Sequence, residues 1–132
     1  MKTMSKTWKR LVLGFYALAS LGIFALWTLN LARGAWEQGI FKYQLTGNIP
    51  VFHLTAEFLM ALITLAGILG LAANRRWGQL VFVLGIGMFL YSAINSFGWA
   101  LHNDLAQGIP MILSALFVIP ALVYLLRARP VA

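Results

Sequence analysis

The chain has 132 residues, of which 61% are hydrophobic and only 10% are charged; its net charge is +7 and it contains no cysteine. A soluble domain carries about a quarter charged residues because its surface faces water, so this composition excludes a water-soluble globule. The lack of cysteine excludes a disulfide-bonded secreted domain, a Cys-ligated metal centre and thiol catalysis.

Four apolar runs follow in chain order, each near the roughly 20 residues that a helix needs to cross a bilayer. They cover residues 11–31, 51–73, 79–101 and 109–126, with an outer loop at 33–50 and turns at 74–78 and 102–108. The runs are too continuous for an alternating membrane β-barrel, and helices satisfy every backbone amide within hydrocarbon. The sequence therefore predicts an all-α fold class: an integral membrane four-helix bundle with antiparallel neighbours, forming one domain over residues 1–132.

The basic residues predict the orientation of this bundle. Arg33 and Lys42 lie on one side of the predicted membrane, and the other eight lie on the opposite side: Lys2, Lys6, Lys9, Arg10, Arg75, Arg76, Arg127 and Arg129. The positive-inside rule then places both termini in the cytoplasm, and we expect a bacterial or archaeal cytoplasmic (inner) membrane. The first run exceeds the roughly 7–15 apolar residues of a signal peptide, so it is expected to be retained. No basic groove indicates a nucleic-acid partner.

The second run contains a polar pair. Glu57 is the only acidic residue inside any predicted span. Burying a carboxyl group in hydrocarbon costs several kcal/mol, so such residues usually face a partner or a cavity. His53 lies four residues earlier on the same helical face. The same face continues through four further residues, which predicts an inward stripe of polar and small residues: Met60, Thr64, Gly67 and Leu71.

The third run carries a similar stripe, which is predicted to face the second: Met88, Tyr91, Asn95, Gly98 and His102. Ser92 and Ser96 add hydroxyl groups suited to close helix approach. Glu57 and Asn95 each lie about six residues, or roughly 9 Å, inside the outer end of their runs. Asn30 of the first run and Ser114 of the fourth lie at similar or shallower depth. The sequence therefore predicts a polar cluster in the outer third of the membrane: His53, Glu57, Tyr91, Asn95, His102, Asn30 and Ser114.

Two interpretations of this cluster are open. In the first, Glu57 is a neutral acid that hydrogen-bonds Asn95, Tyr91 or His53 and fixes the register of the helices. In the second, the cluster lines a pocket, open to the outer side or to lipid, for a quinone-like or other amphipathic head group. A metal site is less favoured, because His53 and Glu57 supply two ligands and His102 a possible third, whereas structural zinc takes four. Haem ligation is disfavoured because His102 is expected in a loop.

No catalytic residues are predicted. The sequence has no Gly-rich phosphate loop, no Gly-x-Ser-x-Gly motif and no pair of carboxylates in one site. We therefore expect a non-enzymatic accessory or assembly subunit of a larger inner-membrane complex, in contact with lipids and with other subunits or copies of itself. The alternative is a lipophilic-ligand or quinone-binding bundle centred on Glu57. The sequence specifies no cofactor.

Two stretches carry a resemblance: Phe52-His53-Leu54-Thr55-Ala56-Glu57 and Tyr91-Ser92-Ala93-Ile94-Asn95-Ser96. They resemble small uncharacterised four-span membrane proteins of bacteria and archaea, in which an FHxxAE-like stretch precedes a YxxxNS-like stretch. The resemblance covers the second and third runs and implies a four-helix membrane bundle. It points to His53, Glu57, Tyr91 and Asn95, and it implies no activity.

Overall fold

A computed structural model of the chain describes residues 6–33, 51–103 and 105–127. Within these residues the protein forms four α-helices and no strands: α1 (Lys6–Arg33), α2 (Val51–Ala72), α3 (Arg76–Asn103) and α4 (Leu105–Arg127). The predicted all-helical fold with four helices is confirmed. Three of the described helical segments are long and apolar enough to cross a membrane: Lys6–Leu29, Phe52–Ala72 and Arg76–Gly98. The apolar part of α4 is the shorter segment Met111–Val123.

The predicted turn at residues 102–108 is wrong in its length. α3 continues through Asn103 and α4 already begins at Leu105. Hydropathy falls at the polar residues that follow Leu101, but polar residues end an apolar run without ending a helix. His102 is therefore helical and not in a loop. Most of the predicted outer loop, residues 34–50, lies outside the described residues.

A tight turn joins α2 to α3. Asn74 has a φ of 52°, in the left-handed region that asparagine tolerates better than most residues. The Arg75 N–H donates to the carbonyl of Gly70 at 2.8 Å, and the Asn74 N–H donates to that of Leu71 at 3.3 Å. This pair of bonds is a Schellman motif, which satisfies the last carbonyls of α2.

Small residues bring α2 and α3 into close contact. A side chain at Gly67 would place its Cβ 2.5 Å from Cα of Phe82, and one at Gly70 would come 2.6 Å from Cα of Gly78. Gly85 likewise faces Thr64. Backbones approach this closely only where side chains are small, as in many membrane helix pairs. Successive residues along α3 meet residues progressively nearer the start of α2: Gly78 meets Gly70, Phe82 meets Gly67, and Gly85 meets Thr64.

One apolar core joins all four helices, and its members are Val12 and Tyr16 of α1, Met60 and Leu71 of α2, Phe82, Ile86 and Phe89 of α3, and Val118, Ala121 and Leu125 of α4. The Tyr16 ring meets Phe82 and Phe89 edge-on, with centroids 5.8 and 5.4 Å away. Phe15 stacks on Phe117 at 4.0 Å and connects α1 to α4. These aromatic contacts join α1 to α3 and α4 within the core.

The predicted inward stripe of α2 is confirmed, because Met60, Thr64, Gly67 and Leu71 are all buried. The predicted inward stripe of α3 is wrong: Tyr91 is 74% exposed. Asn95 and Gly98 are exposed as well. The buried face of α3 consists instead of Phe82, Ile86, Phe89, Ala93 and Ser96.

The physical reason for this difference is the spacing of small residues along α3. Gly78, Gly85 and Ser92 recur every seven residues, which is close to two helical turns. Because the two glycines must face α2, they fix the rotation of α3 about its axis. Ser92 then comes to face α2, and its neighbour Tyr91 turns away from the core.

Candidate functional site

Two clefts meet at Glu57. The first, here called the bundle cleft, has a volume of about 160 Å³ and is lined by residues of all four helices: Ile23, Leu26, Trp27, His53, Glu57, Met60, Phe89, Ser92, Ala93, Ser96, Met111 and Ser114. The second, here called the lateral cleft, lies between α2 and α3, has a volume of about 600 Å³ and adds seven residues: Ala56, Val83, Leu84, Gly87, Met88, Tyr91 and Asn95. Four residues line both clefts and form the wall between them: His53, Glu57, Met60 and Ser92.

Glu57 is the one acidic residue in the described part of the chain, and it is buried, with 9% of its surface exposed. The hydroxyl Oγ of Ser92 donates a hydrogen bond to its carboxyl oxygen Oε1. This pair continues the line of contacts that begins with Gly70 and Gly78, so the close approach of α2 and α3 places the two side chains opposite each other. The hydrogen bond holds the carboxyl group in the wall between the two clefts.

One observed partner of Glu57 is a residue that the sequence analysis did not predict. The predicted partners are Asn95, Tyr91 and His53, and the hydrogen bond described here comes from Ser92. Tyr91 and Asn95 do line the lateral cleft together with Glu57. The signal that could have identified Ser92 is its place in the seven-residue repeat of small residues, since that repeat and not the polar pattern determines which side of α3 faces α2.

The other predicted site residues fall into two groups. His53 lines both clefts, and its ring meets Trp27 edge-on with centroids 5.8 Å apart. Ser114 of α4 lines the bundle cleft. The side chains of Asn30 and His102 lie outside the described part of the structure, although their backbones belong to α1 and α3. The structure thus places His53, Glu57 and Ser114 in the bundle cleft, and it places Tyr91 and Asn95 in the lateral cleft on the other side of Glu57.

The whole bundle matches one protein family, described as "Domain of unknown function (DUF8058)", over residues 6–129. The chain belongs to this family. The match includes all four helices and every residue that lines the two clefts. No curated protein and no solved structure matches the chain.

The bundle cleft has one polar wall in an otherwise apolar lining. Its carboxyl, imidazole and hydroxyl groups come from Glu57, His53 and Ser92, with Ser96 and Ser114 nearby. Most of the remaining surface is apolar, including two methionines and two aromatic rings. Across the described residues, no three His, Asp or Glu side chains come together in a metal-binding arrangement. Polar groups on one wall of an otherwise apolar cleft are typical of sites for small amphipathic molecules.

Proposed function

We propose that this chain crosses the cytoplasmic membrane of a bacterium or archaeon four times, with both termini in the cytoplasm. Three helices have the length and hydropathy for spanning, and α4 shares a core with them. The order of contacts along α2 and α3 supports an antiparallel hairpin. The described basic side chains stand at the helix ends that this topology places inside, as the positive-inside rule requires: Lys6, Lys9, Arg10, Arg75 and Arg76.

We further propose that the protein binds a small lipophilic ligand in the bundle cleft, with the polar end of the ligand at Glu57. The observation that carries this proposal is the place of Glu57, buried in the wall between two clefts. A carboxyl group buried within a membrane span raises the free energy of the protein by several kcal/mol unless it has a polar partner or faces a cavity. The volume of about 160 Å³ is near that of a cavity that accepts one benzene-sized ring. This is the quinone-like or amphipathic class of ligand that the polar residues predict.

A second candidate is an accessory or assembly subunit of a larger membrane complex. The observation that favours it is the apolar outer face of α4, where large side chains are exposed along the helix: Ile109, Ile112, Leu113, Leu116 and Ile119. In an accessory subunit, such a face packs against another membrane helix in place of lipid chains. The two candidates differ in what remains bound to the protein after extraction from the membrane.

Native mass spectrometry of the tagged protein, extracted from its own membranes in a mild detergent, tests the proposal. We expect a discrete adduct whose mass does not match a phospholipid. Ser114→Phe fills the bundle cleft and is expected to remove the adduct. The matched control Leu113→Phe places the same ring at a neighbouring position that is 50% exposed, and it should keep the adduct. A stoichiometric partner chain without any small adduct would contradict ligand binding and favour the accessory subunit.

A further inference from the structure

The lateral cleft opens on the surface of the α2–α3 pair that the proposed topology places against lipid. Leu84 and Tyr91 of its lining are 56% and 74% exposed. Gly87 lies between them on α3, and a Cβ added there would meet no atom within 4 Å. The function proposed above concerns the bundle cleft and leaves this larger, lipid-facing cleft unassigned.

The lateral cleft is long and narrow. Its lining on α3 runs from Val83 to Asn95, which is roughly 18 Å at 1.5 Å per residue. A volume of about 600 Å³ spread over that length gives a cleft about 6–7 Å across, whereas a helix with its side chains is about 10–12 Å across. The cleft therefore admits one extended hydrocarbon chain and is too narrow for a helix. Its length is close to the roughly 15 Å of hydrocarbon in one leaflet of a bilayer.

The lining of the lateral cleft changes from apolar to polar along its length. The end nearer the α2–α3 turn is lined by apolar and small residues: Met60, Val83, Leu84, Gly87 and Met88. The polar residues share the end farther from the turn: His53, Glu57, Tyr91, Ser92 and Asn95. In the proposed topology the polar end is nearer the outer surface of the membrane. A lipid of the outer leaflet has the same order, because its head group is at the surface and its chain points to the midplane.

Tyr91 and Asn95 have hydrogen-bonding groups that the protein does not use within the part of the chain that the structure describes. Both side chains are exposed, and no hydrogen bond to either is found among the described residues. A polar group surrounded by hydrocarbon is destabilising unless it is hydrogen-bonded. The phenol hydroxyl and the amide each donate and accept hydrogen bonds, so a head group that does both satisfies them best.

The head group that suits this polar end is an uncharged hydroxyl group. A hydroxyl group donates one hydrogen bond and accepts two, whereas a carbonyl only accepts. Phosphate and carboxylate groups are bound mostly by Arg and Lys, and the lining of the lateral cleft contains neither. Asn95 also lies eight residues, or roughly 12 Å, before the end of α3 at Asn103. In the proposed topology that depth is below the phosphate groups of the membrane.

We infer that the lateral cleft binds a long-chain alcohol, a single-chain lipid with an uncharged hydroxyl head group. The hydroxyl group bonds Asn95 and Tyr91, and the chain lies along Leu84, Gly87 and Met88. His53 and Glu57 add further hydrogen-bonding groups at the polar end. The inference uses the proposed membrane topology, and it does not depend on ligand binding in the bundle cleft.

The test is photolabelling of the full-length protein in phosphatidylcholine vesicles, with hexadecanol that carries a diazirine in the middle of its chain. We expect label on residues that line only the lateral cleft, namely Val83, Leu84 and Met88. Excess unlabelled hexadecanol should displace this label. Heptadecane has a methyl group in place of the hydroxyl group, and hexadecyl phosphate has a charged head group. At equal mole fraction each should displace the label at least about fivefold less well, because the hydrogen bonds of the hydroxyl group are missing or mismatched.

Three phenylalanine variants test the position of the chain. Gly87→Phe places a ring in the open space of the lateral cleft and is expected to remove the displaceable label. The matched control Gly22→Phe places the same ring on the exposed side of α1, where an added Cβ also meets nothing within 4 Å, and it should retain the label. Ser114→Phe fills the bundle cleft and should retain the label as well, because Ser114 does not line the lateral cleft.

Asn95→Leu tests the position of the head group. The apolar part of the lateral cleft is unchanged in this variant, so the chain of the probe should still bind. The preference for hexadecanol over heptadecane should fall from about fivefold to about twofold or less, because the amide is lost. A merely structural role of Asn95 would change displacement by both competitors equally.

The possible outcomes separate this inference from the proposed function. Label that Gly87→Phe retains would overturn the inference, and so would equal displacement by hexadecanol and by either competitor. Loss of the label in Ser114→Phe would also overturn it, since the two clefts would then form one site. The proposed function fails separately, if the purified protein carries no adduct that Ser114→Phe removes.

Discussion

Glu57 and Ser92 illustrate how the protein places a carboxyl group within an apolar bundle. The carboxyl group is held by a hydroxyl from the facing helix. It also borders a cleft on each side. A carboxyl group used only to fix helix register has no need of two clefts, since one interhelical hydrogen bond suffices for that purpose. At the scale of single residues, this arrangement is more typical of a binding site than of a structural contact.

The strength of the bond between Ser92 and Glu57 can be measured by a double-mutant cycle. Ser92→Ala is expected to lower the free energy of unfolding by about 1–2 kcal/mol, because the buried carboxyl group loses its donor. In a Glu57→Leu background the same substitution should cost little, since no acceptor remains. Unfolding in mixed micelles of mild detergent and dodecyl sulfate measures both values. Ser96→Ala removes a hydroxyl one turn away and is expected to couple to Glu57→Leu by less than about 0.5 kcal/mol. Equal costs of Ser92→Ala in both backgrounds would contradict the observed hydrogen bond.

The pairing of α2 with α3 depends on the small residues along their contact. Gly67 packs directly against the backbone of Phe82. Gly87 lies on the exposed side of α3, where an added Cβ would meet nothing within 4 Å. The two glycines therefore offer the same substitution in opposite surroundings.

Gly67→Ala is expected to lower the free energy of unfolding by roughly 1–3 kcal/mol, because the backbones of α2 and α3 must move apart. Gly87→Ala should be neutral or slightly stabilising, since alanine is the better helix former. Unfolding of both variants under the same detergent conditions gives the comparison. If the two substitutions had equal effects, α2 and α3 would not be in backbone contact at Gly67.

The helices themselves could be predicted from the sequence because long apolar runs are a strong signal. The inward stripe of α2 could be predicted as well, since Glu57 and His53 mark one face of an otherwise apolar helix. The rotation of α3 could not be predicted from polarity. Tyr91 and Asn95 are polar residues that line the outer side of a cleft, and a pattern within one helix does not reveal which neighbour it faces. The end of α3 was also misplaced, because hydropathy reports membrane depth and not helix length.

At the scale of the whole molecule, the four helices are arranged with a packed end and a cleft end. The core cluster and the hydrogen bond from Gln79 Nε2 to the carbonyl of Leu125 fix the end that holds the α2–α3 turn. The bundle cleft lies toward the other end, between residues that come from all four helices. This division gives a packed base and a cleft toward the opposite end of the bundle, the end that the proposed topology places in the outer part of the membrane.

Photolabelling of the protein in its own membranes, with a diazirine derivative of phenol, tests ligand binding in the bundle cleft most directly, because phenol is one ring with one polar end. Label that excess unlabelled phenol displaces should be found at the cleft, on Trp27, Met60 and Met111. Ser114→Phe should remove this displaceable label and Leu113→Phe should retain it. Label spread over the exposed leucines of α1 and α4, not displaced by the unlabelled probe and unchanged in Ser114→Phe, would contradict the account.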